Sequence, residues 1–278
     1  MKKLLVFILA ITGSSLCVRA QNSYPFDVKI SGTGNQNIIL IPGLSCSGDV
    51  WNETVTRYDK EYRCYTLTFH GFAGIAPDDS VSFKNWETSV ARYIHDKKMS
   101  KPIIIGHSIG GGMALMLAAD YPELVSKIIV VDALPCLGAI QNPAFVVNPH
   151  PDCTPFVANF QSMDDRQFYQ MQKRTMSSLM ADTVHLEEVI HWSVTSDRKT
   201  LAEIYCQFLN TDMREQLSTI QCPSLILMEG AFSRIKPDIA EQYKNLKTAR
   251  LEYATKGLHF IMYDDTDWYF KQLDQFLK

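Results

Sequence analysis

The chain has 278 residues, 46% of them hydrophobic and 21% charged, with 27 Lys and Arg against 30 Asp and Glu. That is enough apolar material for a large core, and it excludes an intrinsically disordered chain. A formal net charge of −3 gives no electrostatic ground for a nucleic-acid partner.

The first segment has the pattern of an export signal: Lys2 and Lys3, an apolar run over 4–11, then Val18-Arg19-Ala20 with a small residue at the cut. Residues 1–20 are expected to be removed after Ala20. The rival, a lipid anchor at Cys17, is disfavoured because Leu16 stands where a small residue belongs. The apolar run is far short of the roughly 20 residues of a membrane span. Without its leader the chain keeps 24 basic against 30 acidic residues, a net −6, and is expected to be exported, either periplasmic or secreted. Six cysteines then remain in an oxidising compartment where disulfides persist. Cys136 with Cys153 is the expected local pair, followed by Cys206 with Cys222; Cys64 reads equally as a small buried hydrophobe in a strand.

Residues 26–30 alternate, and the loop "GTGNQN" after them predicts a hairpin with 38–41. The runs at 38–41, 65–69, 103–105, 128–131 and 225–228 are continuously apolar, as in strands covered on both faces of a parallel sheet. Helical patterns over 50–58, 86–98, 113–121, 239–246 and 268–277 fill the gaps, which predicts an α/β architecture of right-handed βαβ units. The rhythm breaks after 134: a Pro-rich stretch leads into helical sequence carrying Met163, Phe168, Met171, Met176 and Met180, and the sheet resumes near 225. The expected organisation is a signal peptide (1–20), a core in two parts (21–133 and 219–278) and a helical lid (134–218) between them.

"IGHSIGG" at 105–111 places Ser108 between Gly106 and Gly110 where a buried strand meets a helix. Two glycines let the chain turn sharply there and hold the serine clear of other side chains. A serine hydroxyl is a weak nucleophile alone, so the motif calls for a base, an orienting acid and donors for an oxyanion. "LIPGLSCSGDVW" follows another buried strand, and its loop can aim the Leu44 N–H at a developing oxyanion while Ile109 supplies the second N–H. There is no Cys-x-x-Cys or His-Glu-x-x-His spacing, so neither a metal nor a cofactor is expected.

On "PGLSCSGDVW" at 42–51, "GHSIGG" at 106–111 and "HF" at 259–260, the chain over 25–278 resembles the α/β-hydrolase superfamily. "GFAG" at 71–74 and "VVDALP" at 130–135 resemble its exported bacterial, esterase-like members with a helical lid. Many members carry His before the glycine of the oxyanion loop; here it is Pro42, which matters little because the backbone supplies the donor. The resemblance implies an α/β-hydrolase fold, with a mostly parallel sheet flanked by helices, and the chain order nucleophile, acid, base. His259, after the strand at 251–254, is the implied base. The commonest place for the acid holds Ser233 instead. Asp132, at the end of the strand 128–131, is the next candidate, then Glu229, then Asp238. The remaining histidines have structural readings: His107 points away from Ser108 and packs nearby, and His70 lies in a loop close enough to line a pocket. The function implied is hydrolysis of a small-molecule carboxylic ester or lactone through an acyl-enzyme on Ser108. The alternative is a catalytically silent binder of a small hydrophobic ligand, which the missing acid at 233 would favour.

Overall fold

The computed structural model describes residues 24–140, 142, 144–148 and 150–278; the apolar leader and its cut lie outside the described residues. One sheet has seven strands: β1 (Phe26–Ser31), β2 (Gln36–Ile41), β3 (Tyr62–Phe69), β4 (Ile103–His107), β5 (Lys127–Val131), β6 (Ser224–Met228) and β7 (Ala249–Tyr253). Their spatial order is β1-β3-β2-β4-β5-β6-β7, parallel throughout except for β1. Helices α1 (Asn52–Tyr58), α2 (Phe83–Asp96) and α3 (Ile109–Asp120) belong to the first half of the core. Between β5 and β6 come α4 (Thr154–Ser162), α5 (Asp165–Leu179), α6 (Leu186–Thr195) and α7 (Arg198–Leu209). After β6 follow α8 (Lys236–Gln242), α9 (Ile261–Asp264) and α10 (Thr266–Leu277).

The continuous apolar runs have a direct cause. Successive strand residues face opposite sides, and both sides are covered. Ile104, Ile128, Val130 and Ile226 pack in one cluster with residues of α2, α3 and α8, whereas Ile103, Ile105, Ile129 and Leu225 pack in the other with α1 and α10. Among the described residues, no helix is long and apolar enough to cross a membrane.

Two expectations are corrected. β1 does not form a hairpin with β2; it pairs antiparallel with β3, because both edges of β2 are taken by β3 and β4. The connecting loop instead runs across the chain entering β3, at Gly32 (φ +82), where a side chain would lie 2.3 Å from the Tyr62 carbonyl oxygen. The second concerns the cysteines. The disulfide joins Cys153 to Cys206, with Cα atoms 5.8 Å apart, and Cys46, Cys64, Cys136 and Cys222 are free and buried. Neither expected pair forms, because nearness in sequence was the wrong guide. Cys136 is buried behind β5, its N–H donating to Gln242 of α8, and Cys222 packs in the core just ahead of β6. Cys153 caps α4, which packs on α7 where Cys206 sits.

Candidate active site

β4 ends at His107 and α3 begins at Ile109, leaving Ser108 on the turn between them. Ser108 has φ 54 and ψ −123, a conformation L-residues avoid and one that persists only where the surroundings impose it. Its N–H donates to the Val131 carbonyl of β5 at 2.8 Å. The start of α3 lies almost on the backbone of β2: a Cβ at Gly110 would stand 2.4 Å from the Ile41 carbonyl oxygen, so only glycine fits there. Ile109 is the first residue of α3, where an N–H has no acceptor within the helix. Leu44, in the loop after β2, lines the same cavity as Ser108.

Asp132 follows β5 with φ 50, and its N–H is held by the Leu227 carbonyl at 2.7 Å. The side chain is only 2% exposed. Its Oδ2 lies 2.6 Å from Nδ1 of His259, and its Oδ1 accepts the backbone N–H of Glu229 at 2.6 Å. A carboxylate accepts only, so Nδ1 carries the proton and Nε2 is left as the basic nitrogen of the ring.

The loop bearing His259 is fixed from three sides. Asp265 accepts the N–H groups of Thr255 and Lys256. Asp264 accepts that of Leu258 at 2.7 Å with one oxygen, and with the other those of Ala181 and Asp182 just after α5. His107 donates from Nε2 to the His259 carbonyl at 3.0 Å, its ring 4.6 Å from that of His259. Burial and the neighbouring His259 hold His107 well below the usual histidine range, so it acts as a neutral donor.

Of the residues singled out from sequence, Ser108, His259, Asp132 and Leu44 share one cavity of about 500 Å³. Glu229 lines it too, but its contact with the Asp132–His259 pair is through its backbone. Burial, with Asp132 next in importance, pushes its carboxyl up to about 7, against a smaller opposing pull from His259. Ser233 is exposed in a 3₁₀ turn (Gly230–Ile235), and Asp238 is exposed in the first turn of α8. His70 is not among the lining residues; it pairs with Asp78 at 2.9 Å. From the segment between β5 and β6, Phe160, Met171 and Met176 reach the cavity, as do Gln172, Thr175 and Tyr205, three polar side chains that sequence reasoning did not single out. Asp264 was also missed, for its partners in the 181–182 turn are more than 80 residues away and leave no local signal. No group of three or more His, Cys, Asp or Glu among the described residues could hold a metal ion.

The family profile described as "Alpha/beta hydrolase family" matches residues 38–272. The chain belongs to the α/β-hydrolase family. Curated relatives include a pimeloyl-(acyl-carrier protein) methyl ester esterase of Vibrio atlanticus, 24% identical over 203 residues that cover 71% of this chain and 76% of the relative. Another is N-formylmaleamate deformylase of Pseudomonas putida, 22% identical and covering 90% and 91% of the two chains. Among solved structures, the enol-lactonase from Burkholderia xenovorans aligns with a TM-score of 0.73 at 15% identity, over 91% of this chain and 96% of that one; that likeness is one of fold. The protein is thus an α/β-hydrolase enzyme, and its turn at Ser108, the loop after β2 and the late His259 meet in one cavity.

Proposed function

We propose that this α/β-hydrolase cleaves small carboxylic esters or lactones by acyl transfer, with Ser108 as nucleophile, His259 as general base and Asp132 as the acid that orients it. The observation that carries this reading is the 2.6 Å contact from Asp132 Oδ2 to Nδ1 of His259, in the cavity into which the strained Ser108 opens. His259 takes the Ser108 proton at Nε2 as the hydroxyl attacks the carbonyl, and Asp132 stabilises the imidazolium that results. The N–H groups of Leu44 and Ile109 receive the negative charge on the carbonyl oxygen. His259 then passes the proton to the leaving group, and water releases the acid from Ser108 by the same steps in reverse order of roles.

Relatives named as an ester hydrolase and a deformylase support a hydrolytic acyl transfer, and the apolar wall given by the β5–β6 segment supports an uncharged acyl group, with that segment acting as a lid. The carboxylate on His259 counts against a silent binder, since Ser233 was its only ground. The leader pattern and the Cys153–Cys206 disulfide support action outside the cytoplasm. The test is labelling with a fluorophosphonate, read as intact mass and modified peptide, with Ser108→Ala as control. One adduct on Ser108 and turnover on an ester and lactone panel is the expected result; folded protein that takes no adduct overturns the reading.

A further inference from the structure

The charge in this cavity is distributed unevenly. Among the described residues that line it, none is basic apart from the two histidines, His107 and His259, whereas Asp132 and Glu229 both contribute carboxyls. Asp132 is fully engaged, one oxygen with His259 and the other with the Glu229 N–H. Glu229 is half-buried at the end of β6, and its carboxyl receives no hydrogen bond and no cation among the described residues. A partly buried carboxyl left without a partner costs stability, and such groups cluster where a ligand supplies what the protein does not. The side of the cavity also matters. His259 must return its proton to the leaving group, so the leaving group lies against His259, and Glu229 lines the cavity next to it, its N–H on the same Asp132 carboxylate that His259 contacts.

We propose that Glu229 is the specificity-determining group of the leaving-group side, selecting substrates whose leaving alcohol carries a positive charge and rejecting those whose leaving group is anionic. This rests on the hydrolytic reading of Ser108 and His259. The charged and titratable groups that act on Glu229 are Asp132 at the end of β5, His259 on its loop and Asp264 in α9; α5 adds Gln172 and Thr175 to the lining and, among the described residues, no charge. A cation bound beside Glu229 would supply the missing partner. Because that carboxyl titrates near 7, its hold on a cation should grow from slightly acid to slightly alkaline pH. Glu229 shares the cavity with other charged groups, so the assignment to Glu229 is made with a variant.

The test uses choline and its uncharged isostere 3,3-dimethyl-1-butanol, two model leaving groups of the same shape, as protectors of Ser108 against a fluorophosphonate. The dependence of the labelling rate on protector concentration gives an apparent Kd at each pH, independent of how fast the serine itself reacts. Expected is a preference for choline that rises about tenfold between pH 6 and pH 8.5, the change in ionised fraction of a group titrating near 7, and that loses this rise in Glu229→Gln. The wild-type pH dependence keeps the test in force if the variant does not fold. No preference for choline, a preference without pH dependence, or a rise that persists unchanged in Glu229→Gln overturns the proposal. Absence of any Ser108 labelling brings down the hydrolytic reading itself, and is distinct from all of these.

Discussion

The cavity has two walls of different construction. The wall built from strand ends and the loops after them carries every Asp, Glu and His that lines it: His107, Asp132, Glu229 and His259, with Ser108 among them. Among the described residues, the wall from the β5–β6 insertion carries none, only apolar side chains with Gln172, Thr175 and Tyr205. The difference follows from what holds each group. Ser108, Asp132 and Glu229 are pinned through their backbone N–H groups to neighbouring strands or to each other, which gives the fixed geometry that proton transfer needs. The insertion is held by packing of helix faces, one disulfide and hydrogen bonds to the core away from the cavity's charged groups, such as those of the Ala181 and Asp182 N–H groups to Asp264. On the proposed reading, chemistry belongs to the strand ends and substrate shape to the insertion, and each prediction strains that division.

The largest effect is expected at Ser108. Ser108→Ala should lower ester turnover by about 10⁶-fold and abolish fluorophosphonate labelling while the circular dichroism spectrum stays unchanged. Asp132→Asn comes next, with about a 10⁴-fold fall in kcat, since an amide can keep one hydrogen bond but cannot stabilise the imidazolium. Steady-state kinetics on one ester checks both; loss of less than tenfold in Asp132→Asn would move the acid's role elsewhere on the core wall, Glu229 first.

The insertion should respond differently. Replacing Cys153 and Cys206 by serine removes a cross-link spanning 53 residues, and chain entropy alone puts the stabilisation at about 4 kcal/mol, with engineered cases often lower. The loss is expected to stay local. Limited proteolysis should cut faster in the chain ahead of α4, while Ser108 keeps its labelling. A double variant that loses labelling along with its protease resistance would show that the insertion does more than shape the cavity.

The sequence was most legible where one element determines its own conformation. Continuous apolar runs revealed the parallel sheet, and the glycines at 106 and 110 revealed the turn at Ser108, because these are local requirements of the backbone. Asp132 was narrowed to a first choice among three carboxyls by its position after a strand, but its partner lies 127 residues away, and a long-range contact leaves no periodicity to read. Separation along the chain also hid the Cys153–Cys206 pair, 53 residues apart, and the role of Asp264. The misplaced hairpin has another cause: alternation identifies an edge strand without saying which neighbour it meets.

The smallest effect tests the cost of charge on the core wall. The Glu229 carboxyl is raised from an ordinary 4.5 to about 7, so between those values the unfolded chain has already released a proton that the folded protein still holds. By linkage, stability falls as pH rises through that window, and the loss is complete above about pH 7. Glu229→Gln has the same shape and no proton to lose. Its stability relative to the wild-type protein should therefore be flat below pH 4.5, rise through pH 5 and 6, and level off above pH 7 at about 1–2 kcal/mol, a figure reduced for the solvent that reaches a half-buried group. Chemical denaturation of both proteins across pH 4 to 8 gives the difference directly, and groups common to the two cancel. A difference that stays at zero would mean that water solvates the carboxyl freely, and would leave the core wall with no stored cost for a ligand to relieve.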